Sequence, residues 1–235
     1  MAKKVYIAVG HGGEDPGAVA NGLKEKDLNL VTAIACKDEL LRHGVEVNID
    51  RTTDIELTMT QTVNACNIYA PDLALDIHHN AGGGDGAEVF YSINGGTGKT
   101  LAVNILDEIV KIGQNSRGAK TRKGSDGSDY YGFIRRTSAP AVIVECAFLD
   151  NKTDVQIVDT QAEQKAMGIA IAKGVLKTLG VKYVESSEKP SATASADIWY
   201  RVQCGAFRSL QNAERLRDEL QSKGYKDAFI VGVSK

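Results

Sequence analysis

Short, nearly unbroken apolar runs alternate with longer helical patterns up to about residue 180 of this 235-residue chain. Val5–Val9, Leu73–His79 and Ala141–Cys146 have the near-continuous hydrophobicity of strands covered on both faces, as parallel strands are. Between them apolar residues recur at helical spacing. Leu28, Leu30, Val31, Ile34, Ala35, Leu40 and Leu41 mark a helix over 27–43, and similar patterns cover 56–69, 100–112 and 161–179. Val45–Ile49 and Ala87–Ser92 read as further strands, and Gly44 and Gly180 stand where helices stop. The alternation predicts an α/β fold: a mostly parallel, twisted sheet with helices on both faces.

Two stretches break the pattern. Residues 113–129 are rich in Gly, Ser, Lys, Arg and Asp and read as a long surface loop. Residues 183–196 are small and polar, contain Pro190, and read as a flexible linker. Beyond them lies a small β-α-β pattern: Trp199–Cys204, then Leu210–Leu220, then Ala228–Val233. Ser209 is placed to cap its helix and Gly224 to end it. The expected division is a catalytic domain over 1–182, a linker over 183–196 and a β-α-β unit over 197–235. So few elements make too little core to stand alone.

Charge narrows the partners. Lys and Arg total 28 and Asp and Glu 30, a formal net charge of -2, which speaks against nucleic acid. The run Val5–Val9 behind Lys3 and Lys4 is too short for a signal-peptide core, and no stretch approaches a membrane span. The expectation is a protein made in the cytoplasm. The cysteines at 36, 66, 146 and 204 form no C-x-x-C pair and read as small buried hydrophobes.

Chemistry concentrates at strand ends. His11 sits in V-G-H-G-G, where the first strand gives way to a glycine turn. That is the sheet edge at which open α/β folds bind ligands. Gly12 and Gly13 allow close approach of backbone to metal or substrate, which makes them candidate substrate contacts together with Asn80. Glu25 falls near the N-terminus of the first helix, so its carboxylate points back to the same edge. His78 ends the strand from Leu73. Its neighbour His79 falls in the row Leu73, Leu75, Ile77, so His79 faces the packed side while His78 shares the other side with Asp76. His11, Glu25 and His78 then form a candidate zinc set: two imidazoles, one carboxylate and an open fourth position. Taken singly, each has a bland reading as a turn residue, a helix-dipole charge or a packed histidine. Glu145 follows the apolar run Val142-Ile143-Val144, where a carboxylate is costly unless paired or functional. It is a candidate proton carrier, with a salt bridge to Arg135 or Arg136 as the alternative. Residues 93–100, I-N-G-G-T-G-K-T, approach a phosphate loop, but Ile93 stands where the first glycine is required. Gly95–Thr100 is expected to be a loop and helix start lining a substrate groove instead.

The spacing of these residues resembles the zinc-dependent N-acetylmuramoyl-L-alanine amidases of the amidase-3 family. The matching segments are G-H-G-G-E-D-P-G-A at 10–18, E-K-D-L-N-L at 25–30, D-I-H-H-N at 76–80 and P-A-V-I-V-E-C-A-F-L-D-N at 140–151. The resemblance implies Zn2+ held by His11, Glu25 and His78, with Glu145 as the catalytic carboxylate. It also implies cleavage of the amide between muramic acid and L-alanine in peptidoglycan. Asp76 departs from the serine usual in the family. A long cleft-blocking helix of some regulated members is absent, which implies an open site. The tail resembles one half of a SPOR-type peptidoglycan-binding module, so a homodimer in which two tails complete each other's sheet is expected. Such a two-part design without a leader fits a phage endolysin or a sporulation lytic enzyme that reaches the wall through a holin lesion or after cell lysis. Other zinc peptidoglycan hydrolases (carboxypeptidase, deacetylase), a non-catalytic wall binder and a nucleotide hydrolase are the competing readings.

Overall fold

The computed structural model of the chain describes residues 2–185, 209–225 and 230. The chain divides into two units, Met1–Glu185 and Ser186–Lys235. The first unit runs β1 (Lys4–Val9), β2 (Val19–Ala20), β3 (Leu23–Lys24), α1 (Glu25–Arg42), β4 (Glu46–Ile49), α2 (Met59–Tyr69) and β5 (Leu73–Asn80). It continues with β6 (Ala87–Tyr91), α3 (Gly96–Lys111), β7 (Ser116–Lys120), α4 (Gly132–Arg136), β8 (Ala141–Phe148), α5 (Lys152–Val155) and α6 (Gln161–Leu179).

Six strands form one sheet in the order β4-β1-β5-β8-β6-β7, with β4, β1, β5 and β8 mutually parallel. β6 runs antiparallel to β8, and β7 runs parallel to β6. The two faces divide by residue parity. Val5, Ile7, Leu73, Leu75, Ile77, Val142 and Val144 face the larger core, where α6 packs between α1 and α3. Tyr6, Ala8, Ala74 and Ala141 face a smaller core with Val63 and Cys66 of α2 and Phe133 of α4. Asp76 and His78 continue the second row, while His79 continues the first.

Local chemistry sets the helix starts. The backbone N–H groups of Glu25 and Lys26 donate to Ala18 O and Pro16 O, so loop carbonyls open α1 two residues before the sequence pattern places it. Thr58 with Gln61, and Thr160 with Glu163, close capping boxes at α2 and α6.

One sequence expectation is corrected here. Residues 113–129 are not all loop, because Ser116–Lys120 form the edge strand β7 beside β6. Its S-R-G-A-K sequence hides it, since an edge strand with charged side chains has no apolar alternation and resists pairing with other chains.

In the second unit, α7 (Leu210–Ser222) follows Ser209, which makes no side-chain cap bond. Gly224 carries a positive φ just beyond it. The expected strands at 199–204 and 228–233 and the 183–196 linker lie outside the described residues, apart from Ile230 and Tyr183–Glu185. Cys36, Cys66 and Cys146 are buried free thiols.

Candidate metal centre and active site

Three elements converge just beyond the carboxyl ends of β1 and β5. The first is the turn after β1. His11 adopts a positive φ of 61°, an uncommon backbone for a non-glycine residue, and this aims its ring across the turn. The second is the start of α1, which carries Glu25, only 4% exposed. The third is the end of β5. His11 Nε2 lies 3.2 Å from Glu25 Oε2, and His78 Nδ1 lies 2.9 Å from Glu25 Oε1. One ligating atom from each of His11, Glu25 and His78 lies within 4.8 Å of the other two. Zinc bonds of about 2.0–2.1 Å in a tetrahedron place neighbouring donors about 3.3 Å apart. The donor set and its spacing therefore fit a zinc-sized divalent ion.

The outer nitrogens are also occupied. His11 Nδ1 is 2.7 Å from Asp15 Oδ2, and His78 Nε2 is 3.3 Å from Asp76 Oδ1. A carboxylate behind each ring fixes which nitrogen presents its lone pair inward. Glu25 accepts from Ala18 N at 2.8 Å, His79 N at 3.1 Å and Asn29 Nδ2 at 3.3 Å. Burial pushes the Glu25 carboxyl up, but the hydrogen bonds to His11 and His78 outweigh it and hold it well below the usual range. The hydrogen bond to Glu25 raises His11. Burial opposes protonation of His78, yet Asp76 and Glu25 raise it well above its ordinary value. These are the signs of a site built for positive charge.

His79 does a different job. It is buried beneath α1, its Nδ1 lies 2.8 Å from Asn29 Oδ1, and burial lowers it to about 4. It stays neutral and helps to hold Asn29, which also donates to Gly10 O. Gly10 permits the close packing at the centre, since a Cβ there would lie 2.2 Å from His78 Cε1. A Cβ at Gly17, whose φ is +63°, would lie 2.5 Å from Glu25 Oε2 and 2.6 Å from His11 Cδ2.

Glu145 sits opposite His78 in the β5–β8 register and opposite Glu88 in the β8–β6 register, so the three share one face. Its Oε2 is buried without a hydrogen-bond partner among the described residues. Burial, then Glu25, Asp76 and Glu88, raise its carboxyl to about 7, with His78 opposing. No ion pair joins it to Arg135 or Arg136 among the described residues. Arg135 donates to Asp129 O and Tyr130 O, and Arg136 donates to Thr60 Oγ1.

The residues named as substrate contacts are committed within the fold. Asn80 Nδ2 donates to Glu88 Oε1, and Asn80 Oδ1 accepts from Ala81 N. Gly12 N donates to Asp15 O, and Gly13 N donates to Asp54 Oδ1. The 93–100 segment is corrected. It follows β6, whose Tyr91 pairs with Val142 at the start of β8, so it lies at the sheet edge opposite His78 and Glu145. There it borders a cavity of about 320 Å³ with Arg135 and Ala141, away from His78 and Glu145.

Sequence reasoning missed several supports: Asp15, Asn29 and Arg51. Arg51, 2% exposed, donates to Val9 O, Gly10 O, Lys26 O and Thr53 O and ties the His11 turn to α1. Asn29 stands four residues after Glu25 on one helix face, a spacing that could have flagged it.

The N-acetylmuramoyl-L-alanine amidase family model, amidase-3, matches residues 5–177. The chain belongs to the amidase-3 family. A second family model, the SPOR domain, matches residues 172–235. Among relatives, the amidase CwlM of Bacillus licheniformis is 34% identical over 232 residues, 97% of this chain and 84% of its own length. A sporulation-specific N-acetylmuramoyl-L-alanine amidase of Bacillus subtilis is 31% identical over the same shares. Among solved structures, Cwp6 from Clostridium difficile superposes with a TM-score of 0.74 at 39% identity, over 76% of this chain and 30% of that one. As an amidase-3 protein the chain has the mixed, mostly parallel sheet of its structural neighbours, and its His-Glu-His cluster suits the metal dependence general in the family. No helix among the described residues is long and apolar enough to cross a membrane.

Proposed function

We propose that the chain is a peptidoglycan hydrolase that cleaves the amide between the muramic acid lactyl group and L-alanine, with zinc as its metal. The observation that carries this reading is the convergence of two imidazole nitrogens and one buried carboxylate at a strand edge, with an unpartnered carboxylate facing them. Bound zinc supplies Lewis acidity and lowers the pKa of water at the site. His11, Glu25 and His78 would hold the ion. Asp15 and Asp76 orient the two rings. Glu145, a buried carboxylate facing them, takes the proton of the attacking water and delivers it to the departing alanine amine as the C–N bond breaks.

The wall is the partner through both parts of the chain: the amidase unit cuts it and the SPOR segment binds it. We assign residues 1–182 to catalysis, 183–196 to a linker and 197–235 to wall binding. We also assign a homodimer formed by two tails, on the ground that one β-α-β unit has too small a core. Sedimentation of the full chain tests the dimer, and a monomer at all concentrations counts against it.

Digestion of purified peptidoglycan followed by mass spectrometry tests the reaction. New N-terminal L-alanine and free lactyl carboxylates are expected. Glu145→Ala is expected to retain zinc and release neither product, while His11→Ala loses both zinc and activity. Release of stem-terminal residues or of acetate would instead identify a carboxypeptidase or a deacetylase.

A further inference from the structure

The face that carries His78 and Glu145 continues across β6 to the edge strand β7. Glu88 lies opposite Glu145, and Lys120 lies opposite Phe90, its near neighbour on β6. Glu88 is 6% exposed, and its Oε2 accepts from Arg117 Nε at 2.9 Å and Lys120 Nζ at 2.5 Å. Two cations thus meet one carboxylate, and their side chains stay 37% and 34% exposed. Arg122, two residues beyond β7, is exposed, with its guanidinium 3.7 Å from the Tyr130 ring centroid. It has no carboxylate partner among the described residues. The Tyr131 ring lies 4.8 Å from that of Phe90, tilted by 52°, which places an aromatic wall over the same face. This face of the sheet therefore runs from an acidic catalytic end to a basic end at β7.

We propose that Arg117, Lys120 and Arg122 form a carboxylate-binding subsite for the acidic peptide stem of the substrate. This rests on the amidase reading above. Once the lactyl acid is tied up in the amide, the N-acetylated glycan is neutral. The anionic groups of the substrate then lie in the peptide, and a basic end of the groove selects the peptide. The reach also agrees. Three strand spacings from β5 to β7 span roughly 14 Å, and about four extended residues cover that distance. With the scissile amide at His78 and Glu145, the residues after L-alanine pass over Glu88 and reach the β7 edge. Glu88 acts here as a positioning residue. Asn80 and the two cations bond to it, and it holds Arg117 and Lys120 together beside the face that carries Glu145.

The test compares two soluble muropeptides that share one stem, the first with free stem carboxylates and the second with those carboxylates amidated. The full-length zinc-loaded protein is expected to favour the free acid about tenfold in kcat/KM, chiefly through KM. Arg122→Gln and the double variant Arg117→Gln/Lys120→Gln are expected to bring that ratio close to one. Arg122→Lys, which keeps the charge, is expected to restore much of it. Thermal melting checks that each variant is folded, and the exposed Arg122 keeps the test open should the double variant fail. A wild-type ratio near one, or variants that keep the wild-type ratio, would overturn the subsite. Failure to cut either muropeptide before L-alanine would sink the amidase reading itself, which is a separate result.

Discussion

Glu145→Gln is expected to stabilise the metal-free chain while it removes the activity. The Glu145 carboxyl is buried on one oxygen without a partner, and burial with the nearby carboxylates lifts its pKa from 4.5 to about 7. An acid whose folded pKa lies above its unfolded value binds more protons when folded. Folding stability therefore falls as pH rises from 4.5 to about 7, and the deficit stays constant above that. Each pH unit in the window costs about 1.4 kcal/mol. The full window corresponds to about 3 kcal/mol, and solvent reaching the groove brings the expected effect to about 1–3 kcal/mol. The glutamine variant does not titrate. Urea unfolding of both proteins in a chelator, from pH 4.5 to pH 8, reads the difference. The curves should nearly coincide at the acid end and separate above pH 7, with the variant more stable. Its hydrolytic rate should fall about 100- to 10,000-fold. A stability difference independent of pH, or a variant less stable at pH 8, would refute the picture of a desolvated, unpaired carboxylate.

Other expectations concern the metal centre and its supports. Gly10→Ala places a Cβ 2.5 Å from His78 Nδ1 and should weaken zinc binding at least about tenfold in a competition titration. Gly98→Ala meets nothing closer than 3.6 Å in α3, and it should leave zinc binding unchanged and add up to about 1 kcal/mol to stability. Asp76→Ser removes the carboxylate behind His78 and should cost about 10- to 100-fold in zinc affinity; an unchanged affinity would remove Asp76 from the ring-orienting role. Chelation should abolish wall lysis and zinc should restore it, with the melting temperature rising on re-addition as for any ligand that binds only the folded state.

Much of the architecture was legible because the central strands are doubly covered and read as apolar runs, while α1 and α6 carry long helical patterns. The facing of His78 and His79 followed from strand parity alone. Strand β7 was hidden because an edge strand made of Ser116, Arg117, Gly118, Ala119 and Lys120 has no buried face to pattern it. The 93–100 segment was placed wrongly because strand direction was invisible. β6 runs antiparallel to β8, which sends the following loop to the far edge. Asp15 and Arg51 were missed because a loop acid and a loop cation are common. Only the fold reveals that one sits behind His11 and the other binds four carbonyls.

Anomalous diffraction at the zinc edge, from crystals of the full chain grown with zinc, tests the central claim most directly. The account predicts one strong peak about 2.0–2.2 Å from His11 Nε2, a Glu25 oxygen and His78 Nδ1, with the Glu145 carboxyl facing it across the groove. A peak held by other residues, or none at these three side chains, would contradict it.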